Sequence, residues 1–333
     1  MPDAISFGEA VIDLFAGEGV ALCELKPLRP AAGGAPANVA VGLARLGVNV
    51  GFVGKVGDDG YGRFFIDLLR AEGVDTSHLI ADPRGPTMLA IVEAPSPTEQ
   101  SFVLYHGANA LLRPEDLDRS YLESASVFVF GSVTLTTTSR AAVLEAARWV
   151  RAAGQTIIFD VNLRPSLWPD LESARRSISA AAELASVVKM NESELEFLTG
   201  MRDPEAGSRS LLGRGVQLCC VSLGGDGSFY HNGAASGHVP AFAVKVLDTT
   251  GSGDAFVAGL ACQLRELGRS PGQLGGDDLR QVLRFANACG ALTATRAGAM
   301  GALPSRQMVE ALLAGQLTSG EPTHPSGSGA RQT

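Results

Sequence analysis

Short apolar runs alternate with longer helical patterns along the chain from about residue 127 onward. The runs are VFVFGS at 127–132, TIIFDVN at 156–162, VVKMNES at 187–193 and LCCVSLGG at 218–225. Buried strands separated by helices predict βαβ units, and hence a mainly parallel sheet with helices on both faces. The sequence therefore predicts an α/β fold.

Each of these runs ends in polar residues or glycine. Ligands of open α/β sheets bind outside the carboxyl ends of the strands, so we expect these residues to line one rim of a binding cleft. They are Ser132, Asp160, Asn162, Asn191, Glu194, Ser222 and Gly224.

The N-terminal third instead contains short alternating strands at residues 10–16, 86–94 and 100–106. The last two flank a turn that contains Pro95 and Pro97, a pattern typical of a hairpin or meander. These strands predict a small β-sheet that is separate from the main sheet.

Helical patterns at 36–46 and 61–72 lie between these strands and belong with the α/β part of the chain. We therefore predict a main α/β domain and a small β lid that is hinged on it. The tail at 318–333 is low in apolar residues and is expected to be disordered. The predicted main domain comprises residues 1–9, 33–85 and 107–317, and the predicted lid comprises residues 10–32 and 86–106.

Composition and charge narrow the class of partner. The chain has 333 residues, 45% of them hydrophobic and 19% charged, as in an ordinary globular protein. A net charge of -8 and the absence of any Lys/Arg run argue against nucleic acid and anionic membranes as partners. We expect a small-molecule ligand.

The N-terminus and the cysteines indicate the cellular location and the redox state of the thiols. The N-terminus lacks the pattern of an export signal, and no run of eighteen apolar residues occurs, so we expect a cytoplasmic protein without a membrane segment. The five cysteines show no CxxC spacing, which predicts reduced thiols and neither a disulfide framework nor a zinc site.

The most informative motif is DTTGSGDAF at 248–256, a glycine-rich turn that runs into a helix. Backbone N–H groups at such a turn can hold a phosphate. Asp254 would repel a resting anion, so we interpret it as a base that takes a proton from a group attacking that phosphate. Alternatively, Asp254 only caps the helix. A dinucleotide fingerprint would need glycine in place of Phe256, and no P-loop sequence occurs.

A second motif, GGAPANVAVGLARLG at 33–47, places two glycines before a helix that opens with Pro36. Asn38 then lies in the first turn, where its amide can face a ligand held against the glycines. The alternative is a plain turn followed by an amphipathic helix. The motif gains meaning only together with the first one.

Together, GGAPAN and DTTGSGD resemble the paired signatures of the ribokinase-like (PfkB) sugar kinases. The resemblance covers nearly the whole chain and implies a ribokinase-like fold with a β-sheet lid. Intermediate motifs occur in the family's order: GKVGDDGYG at 54–62, GVD at 73–75, DVNLR at 160–164, NESE at 191–194 and SLGGDG at 222–227.

The resemblance implies roles for residues at the reacting centre. Asp254 would be the catalytic base for a sugar hydroxyl, and the backbone N–H groups of Gly251, Ser252 and Gly253 would form the anion hole. The family usually has alanine where Ser252 stands, a change that keeps the backbone donors. The residues implied to bind sugar hydroxyls are Asp13, Gly33, Gly34 and Asn38.

The resemblance also implies a nucleotide site for ATP. Asn191 and Glu194 would organise Mg²⁺ through water. Asp248 and Thr250, with backbone carbonyls of loop 295–301, resemble a monovalent-cation site for which K⁺ is the ion considered. The residues implied to contact ATP phosphates or adenine are Ser222, Gly224, Gly227 and Asn287.

Three segments favour fructokinases within the family: GEAVIDLF at 8–15, GGAPANVAVGLARLG, and DVNLRPSLWPD at 160–170. The expected reaction is transfer of the γ-phosphoryl group of ATP to D-fructose, giving fructose 6-phosphate. Relatives often carry arginine after the tyrosine of the second lid strand, whereas Tyr105 is followed here by His106. Because a sugar acid favours a guanidinium partner, this change weakens 2-keto-3-deoxygluconate as the substrate.

Several alternatives stay open at this point. Tyr105 is assigned to sugar binding, and Arg164 could serve the sugar or the phosphate. The chain could be another PfkB alcohol kinase, a non-catalytic sugar or nucleotide sensor, or, more distantly, a dehydrogenase. An exposed β lid also invites a homodimer through its apolar face.

Overall fold

The computed structural model describes residues 1–15, 29–96 and 99–316. In that part of the chain, thirteen strands form two sheets. The strands are β1 (Ala4–Phe7), β2 (Val11–Phe15), β3 (Arg29–Gly33), β4 (Val50–Gly57), β5 (Leu79–Asp82), β6 (Met88–Ser96), β7 (Glu99–Tyr105), β8 (Val127–Gly131), β9 (Thr156–Asp160), β10 (Val187–Asn191), β11 (Leu218–Ser222), β12 (Ser228–His231) and β13 (Ser236–Val239). The α-helices are α1 (Ala35–Arg45), α2 (Gly60–Ala71), α3 (Arg119–Ser124), α4 (Arg140–Ala152), α5 (Leu171–Ala182), α6 (Glu192–Thr199), α7 (Pro204–Leu212), α8 (Ser252–Leu267), α9 (Gly276–Ala294) and α10 (Arg306–Leu313).

The larger sheet has nine strands in the order β13-β12-β11-β10-β9-β8-β1-β4-β5. Neighbouring strands are parallel from β11 to β5, and β12 and β13 add an antiparallel edge. The four apolar runs of the C-terminal part form β8 to β11. The prediction of a mainly parallel α/β sheet is confirmed.

Helices cover both faces of this sheet, as predicted. Along β9, Ile158 belongs to one hydrophobic cluster, and Ile157 and Phe159 belong to another. Successive side chains of a strand point to opposite faces, so the two clusters lie on opposite sides of the sheet. The first cluster contains residues of α1, α8 and α9, and the second contains residues of α4 to α7.

The smaller sheet joins two separate pieces of chain in the order β3-β2-β6-β7. Strands β2 and β6 are parallel, and the two outer pairs are antiparallel. This sheet corresponds to the predicted β lid. Strand β3 was not expected, because its sequence RPAAG lacks the β-branched and aromatic residues that favour strands. Pairing with β2 holds it in the sheet.

The domain boundaries stay a prediction, and part of them cannot be placed. Residues 16–28 of the predicted lid and the predicted disordered tail lie outside the described residues. Within the described residues, no helix is long and apolar enough to cross a membrane. The cysteines Cys219, Cys220, Cys262 and Cys289 are free and buried, and Cys23 lies outside the described residues.

Candidate active site

A glycine turn places Asp254 in the first turn of α8. Gly251 has a φ of 79°, a left-handed conformation that favours glycine, and a Cβ there would lie 2.9 Å from Ala299 Cα. Helix α8 begins at Ser252, and no side chain caps it. The Asp254 carboxylate instead accepts a hydrogen bond of 2.7 Å from Asn38 Nδ2. Among the described residues Asp254 therefore makes no capping hydrogen bond, and its assignment as the base stays a prediction.

Asn38 reaches Asp254 because α1 begins directly after the glycine pair. Gly34 has a φ of 96°, and a Cβ there would lie 2.7 Å from the carbonyl oxygen of Glu9. Asn38 is buried, and its Oδ1 has no hydrogen-bond partner among the described residues. Buried acceptors are usually paired, so this oxygen is available to a donor that enters the cleft.

These groups line a cleft of about 810 Å³ between the carboxyl edge of the larger sheet and the lid. The lid contributes Val11, Asp13, Met88, Ala90 and Leu104. Eleven of the predicted site residues meet in this cleft. They are Asp13, Gly34, Asn38, Arg164, Asn191, Glu194, Ser222, Thr250, Gly251, Gly253 and Asp254.

Other predicted residues lie outside the cleft lining, namely Gly33, Tyr105, Gly224, Gly227, Asp248, Ser252 and Asn287. Gly33 makes room for the lid carboxylate, because a Cβ there would lie 2.0 Å from Asp13 Oδ2. Tyr105 is 54% exposed, and Leu104 lines the cleft in its place. Adjacent residues of a strand face opposite sides, so only one of these two can face the sugar.

Gly227 and Asn287 both hold the segment that follows β13. A Cβ on Gly227 would lie 2.1 Å from the carbonyl oxygen of Val239. Asn287 Nδ2 donates to that same oxygen at 3.0 Å and to the carbonyl oxygen of Pro240 at 3.3 Å. By contrast, a Cβ on Gly224 would meet nothing within 4 Å. Gly227 and Asn287 therefore contact the end of β13 and the residue that follows it.

Asp248 ties the glycine turn to loop 295–301. Its carboxylate accepts hydrogen bonds from Thr250 N at 2.9 Å, Thr250 Oγ1 at 2.6 Å and Gly298 N at 2.8 Å. Burial acts in the opposite direction, but these hydrogen bonds lower the pKa of Asp248. An ionised carboxylate thus lies beside the loop assigned to the cation.

Asn191 and Glu194 form a capping box at the start of α6. Asn191 Oδ1 accepts from Glu194 N at 2.9 Å, and Glu194 Oε2 accepts from Asn191 N at 2.8 Å. Glu194 Oε1 accepts from Leu163 N at 2.8 Å, which joins the ends of β9 and β10. Asn191 Oδ1 also accepts from Ser193 Oγ at 2.7 Å, so the further lone pairs suited to water-mediated contact with a cation are those of the Glu194 carboxylate.

Four carboxyl groups of the cleft share a raised pKa, those of Glu9, Asp13, Glu194 and Asp254. Burial is the main cause in each case. It raises the pKa of Asp254 to about 6, although the hydrogen bond from Asn38 acts against it. Burial and the charge of Asp254 raise the pKa of Asp13 to about 7, and burial raises that of Glu9 to about 7. Such clustering of perturbed carboxyl groups is typical of catalytic sites.

Asp160, which was expected at the rim of the cleft, forms an ion pair there that was not predicted. Lys189 Nζ lies 3.1 Å from Asp160 Oδ1, and both residues line the cleft. Burial alone would lower the pKa of Lys189, but the charges of Asp160 and Glu194 raise it. A lysine inside the otherwise apolar run VVKM is a signal that could have been used, because buried lysines are rare unless paired.

Glu9 was also missed. It is buried at the end of β1, lines the cleft, and accepts a hydrogen bond of 3.3 Å from Thr134 Oγ1. The same kind of signal was present, since a glutamate interrupts the apolar segment that carries Asp13.

The geometry agrees with comparisons to known proteins. Residues 1–306 match the pfkB family of carbohydrate kinases. The chain is 41% identical over 317 residues to Probable fructokinase-7 of Arabidopsis thaliana, covering 93% of this chain and 92% of that protein.

Solved structures give the same result. Fructokinase with bound ATP from Xylella fastidiosa has a TM-score of 0.87 at 34% identity, covering 95% of this chain and 99% of that chain. Fructokinase from Vibrio cholerae O395 in its fructose, ADP and calcium ion bound form has a TM-score of 0.81 at 33% identity, covering 93% and 98%. The expected ribokinase-like fold is confirmed, and this chain belongs to the pfkB family of carbohydrate kinases.

Proposed function

We propose that this protein is an ATP-dependent fructokinase, which converts D-fructose to fructose 6-phosphate. The observation that carries the proposal is the pairing of Asp254 with Asn38 in a cleft that the lid covers with Asp13. The similar proteins from Arabidopsis thaliana, Xylella fastidiosa and Vibrio cholerae are all named fructokinases. Family membership and site geometry thus support the same reaction.

Asp254 is proposed as the general base. The sugar's primary hydroxyl oxygen attacks the γ-phosphorus of ATP and gives its proton to the Asp254 carboxylate. The bond from the γ-phosphorus to the bridging oxygen breaks, and its electron pair leaves with ADP. A pKa of about 6 keeps most of this carboxylate ionised at neutral pH while making it a stronger base than an ordinary aspartate.

The backbone of the glycine turn is proposed as the anion hole. Gly251 and Gly253 line the cleft, and glycine at these positions lets a phosphate approach the N–H groups closely. Each preorganised donor of this kind contributes about 3 kcal/mol in well-studied enzymes.

Asp13 and Asn38 are proposed to bind the sugar. An ionised Asp13 accepts hydrogen bonds from two adjacent hydroxyls, and the unpaired Oδ1 of Asn38 accepts one more. Asn38 would then contact both the sugar and the base. This arrangement suits a neutral polyol.

Magnesium is proposed as the divalent ion, organised through water by Asn191 and Glu194. When bound, it neutralises charge on the ATP phosphates. Potassium beside Asp248 and Thr250 and a cytoplasmic location are proposed in the same sense. A similar protein from Arabidopsis thaliana, Probable fructokinase-6, is named chloroplastic, so family membership does not fix the cellular location.

The charge of the cleft distinguishes fructose from sugar acids. Among the described residues, five with a carboxyl group line it, against the two cationic residues Arg164 and Lys189. Lys189 is paired with Asp160, so Arg164 is the remaining candidate for a substrate carboxylate. With a single candidate cation for a substrate carboxylate, the lining favours a neutral sugar over 2-keto-3-deoxygluconate.

A homodimer through the lid is proposed as the assembly. On β7, Val103 and Tyr105 are 39% and 54% exposed and share the face opposite the cleft. An apolar outer face on a small sheet is a common protein-binding surface. Analytical ultracentrifugation of wild type and Val103→Asp would test it, with a shift from dimer to monomer expected.

The function is tested by a substrate screen at millimolar ATP. ADP release is measured with D-fructose, other neutral sugars, a nucleoside and 2-keto-3-deoxygluconate. A second assay, coupled through glucose-6-phosphate isomerase and dehydrogenase, reports only the 6-phosphate. Fructose should give the highest kcat/KM in both assays. A higher kcat/KM for another acceptor would replace fructose, and binding without any turnover would favour the sensor.

A further inference from the structure

The guanidinium of Arg45 joins three segments of the chain. Helix α1 ends at this residue, and its Nε and Nη2 donate to the Glu72 carboxylate at 2.9 and 2.7 Å. Its Nη1 donates to two backbone carbonyl oxygens, those of Met300 at 3.0 Å and Leu303 at 2.8 Å. An arginine has five N–H donors, so these hydrogen bonds use most of them, and the side chain is only 24% exposed. Arg45 therefore does more than form a surface ion pair.

The segment 298–303, which Arg45 holds at one end, lies against the glycine turn before Asp254. Ala299 lines the cleft, and a Cβ built on Gly251 would lie 2.9 Å from Ala299 Cα. At the other end of the segment, Gly298 N donates to Asp248 Oδ2 at 2.8 Å. Two side chains thus hold the segment in contact with the turn that is proposed as the anion hole.

Helix α1 connects this segment with the proposed base. Asn38 in its first turn donates to Asp254, and Arg45 lies about 10 Å further along the helix. Between them, Gly42 lets α1 pack closely on α8, because a Cβ there would lie 2.7 Å from Ala258 Cβ. One helix therefore contacts the carboxylate near one end and segment 298–303 at the other.

We propose that Arg45 is a positioning residue, which holds segment 298–303 against Gly251 and so fixes the turn whose N–H groups receive the transferring phosphoryl group. This inference rests on the proposed kinase function. Arg45 is not among the described residues that line the cleft, so it acts through the backbone that it holds. Preorganised donors are effective only in the correct position, and a displacement of about 1 Å can lower a rate about a hundredfold.

The competing explanation is an ion pair that only ties α1 to Glu72 at the end of α2. Glu72→Gln weakens that pair but leaves both carbonyl hydrogen bonds of Arg45 in place. Arg45→Met also deprives the carbonyl oxygens of two buried residues, Met300 and Leu303, of this donor. A comparison of the two variants therefore separates the ion pair from the contact with the segment.

Under the proposal, Arg45→Met should lose about fiftyfold in kcat, with KM for fructose changed by less than about threefold. Glu72→Gln should lower Tm and keep kcat within about threefold of wild type. Arg45→Lys provides a second variant that keeps the charge if Arg45→Met does not fold. A single ammonium does not reproduce the planar set of donors, so we expect a loss of about tenfold in kcat. If neither Arg45 variant loses more kcat than Glu72→Gln, the proposal is wrong.

A matched control is Arg265, which lies in the last turn of α8, the helix that carries Asp254. It pairs with Asp3 Oδ2 at 2.7 Å, its side chain is 35% exposed, and it is not part of the described cleft lining. Arg265→Met should keep kcat within about threefold of wild type, because an ion pair of this exposure contributes little. A loss of kcat as large as that of Arg45→Met would overturn the proposal.

Hydrogen exchange measures the effect on the segment without any substrate. By mass spectrometry of the unliganded protein, peptides that contain Gly298 and Ala302 should exchange at least about tenfold faster in Arg45→Met than in wild type. Both amides are hydrogen-bonded in the folded segment, and their exchange should stay close to wild type in Glu72→Gln.

Two results of this measurement would overturn the role of Arg45. One is unchanged exchange in Arg45→Met, and the other is faster exchange with unchanged kcat. Failure of the kinase function would instead appear as wild-type protein that turns over no sugar while the exchange result still holds.

Discussion

The two halves of the cleft differ in how strictly they are built. One side is formed by the larger sheet and its helices, which we call the body. There the glycine turn before Asp254 is held by close packing of its glycines, by the hydrogen bonds of Asp248, and by the contact between Asn38 and Asp254. The lid side is largely apolar, and Asp13 is its one charged residue that lines the cleft among the described residues. We therefore expect the body to set the reaction and the lid, with fewer polar contacts, to set the choice of sugar.

The largest effect is expected on the body side. Asp254→Asn keeps the shape of the side chain and its contact with Asn38 but removes the base. We expect kcat with the best sugar to fall by about a hundredfold or more. Steady-state kinetics with purified protein measure it, and a KM that stays close to wild type would place the loss in the chemical step.

Asp277→Asn is the matched control for this variant. Asp277 also lies in the first turn of a helix, α9, but its side chain is 89% exposed and is not part of the cleft lining. It should leave kcat unchanged. If Asp254→Asn retains more than a tenth of wild-type kcat, the base is a different group. The expectation that the body side sets the reaction would then be wrong.

On the lid side, Asp13→Asn should act on the sugar and spare the chemical step. Hydrogen bonds to a charged group contribute about 2 kcal/mol, so KM for fructose should rise about 30-fold with a much smaller change in kcat. Asp58→Asn is a suitable control, because Asp58 is a surface residue. A loss in kcat that exceeds the rise in KM would move Asp13 into the reacting centre.

The pH dependence of kcat/KM should report both halves together. Burial raises the pKa of Asp254 to about 6, and burial with the charge of Asp254 raises that of Asp13 to about 7. Both carboxyl groups must be ionised, so kcat/KM should fall below pH 7 and approach a hundredfold loss per pH unit well below pH 6. In Asp13→Asn the limiting slope should drop to tenfold per unit.

Stability should show a smaller effect with a defined sign. Asp13 has a pKa of about 7 in the folded protein against an ordinary value of 3.8, so the folded state binds more protons between these values. Stability from this group is therefore lost as pH rises from about 4 to 7. Asp13→Asn removes that loss, and its Tm should exceed that of wild type by a few degrees at pH 8. Equal Tm values are expected at pH 4.

The same contrast explains what the sequence could predict. On the body side, the residues of the motif DTTGSGD are adjacent in the chain. The turn and the position of Asp254 at the start of a helix could therefore be predicted from this motif alone. Lys189 and Asp160 are 29 positions apart and meet only through the register of β9 and β10. On the lid, a shift of one residue along β7 exchanges Tyr105 for Leu104, and a short motif does not fix that alternation.

The smallest effect is expected at His106, the residue that stands where relatives often carry arginine. His106 is exposed, lies outside the cleft lining, and accepts a hydrogen bond of 3.1 Å from Asn109 Nδ2 through its Nδ1. Restoring the relatives' arginine with His106→Arg should therefore change kcat/KM for fructose by less than about threefold and add no measurable activity toward 2-keto-3-deoxygluconate. Because a guanidinium that reached the substrate would pair with a sugar carboxylate, a gain of tenfold or more in sugar-acid activity would show that residue 106 faces the substrate in the closed lid. In that case the lid would select the sugar by charge as well as by shape, and the assignment of fructose would depend on a single histidine.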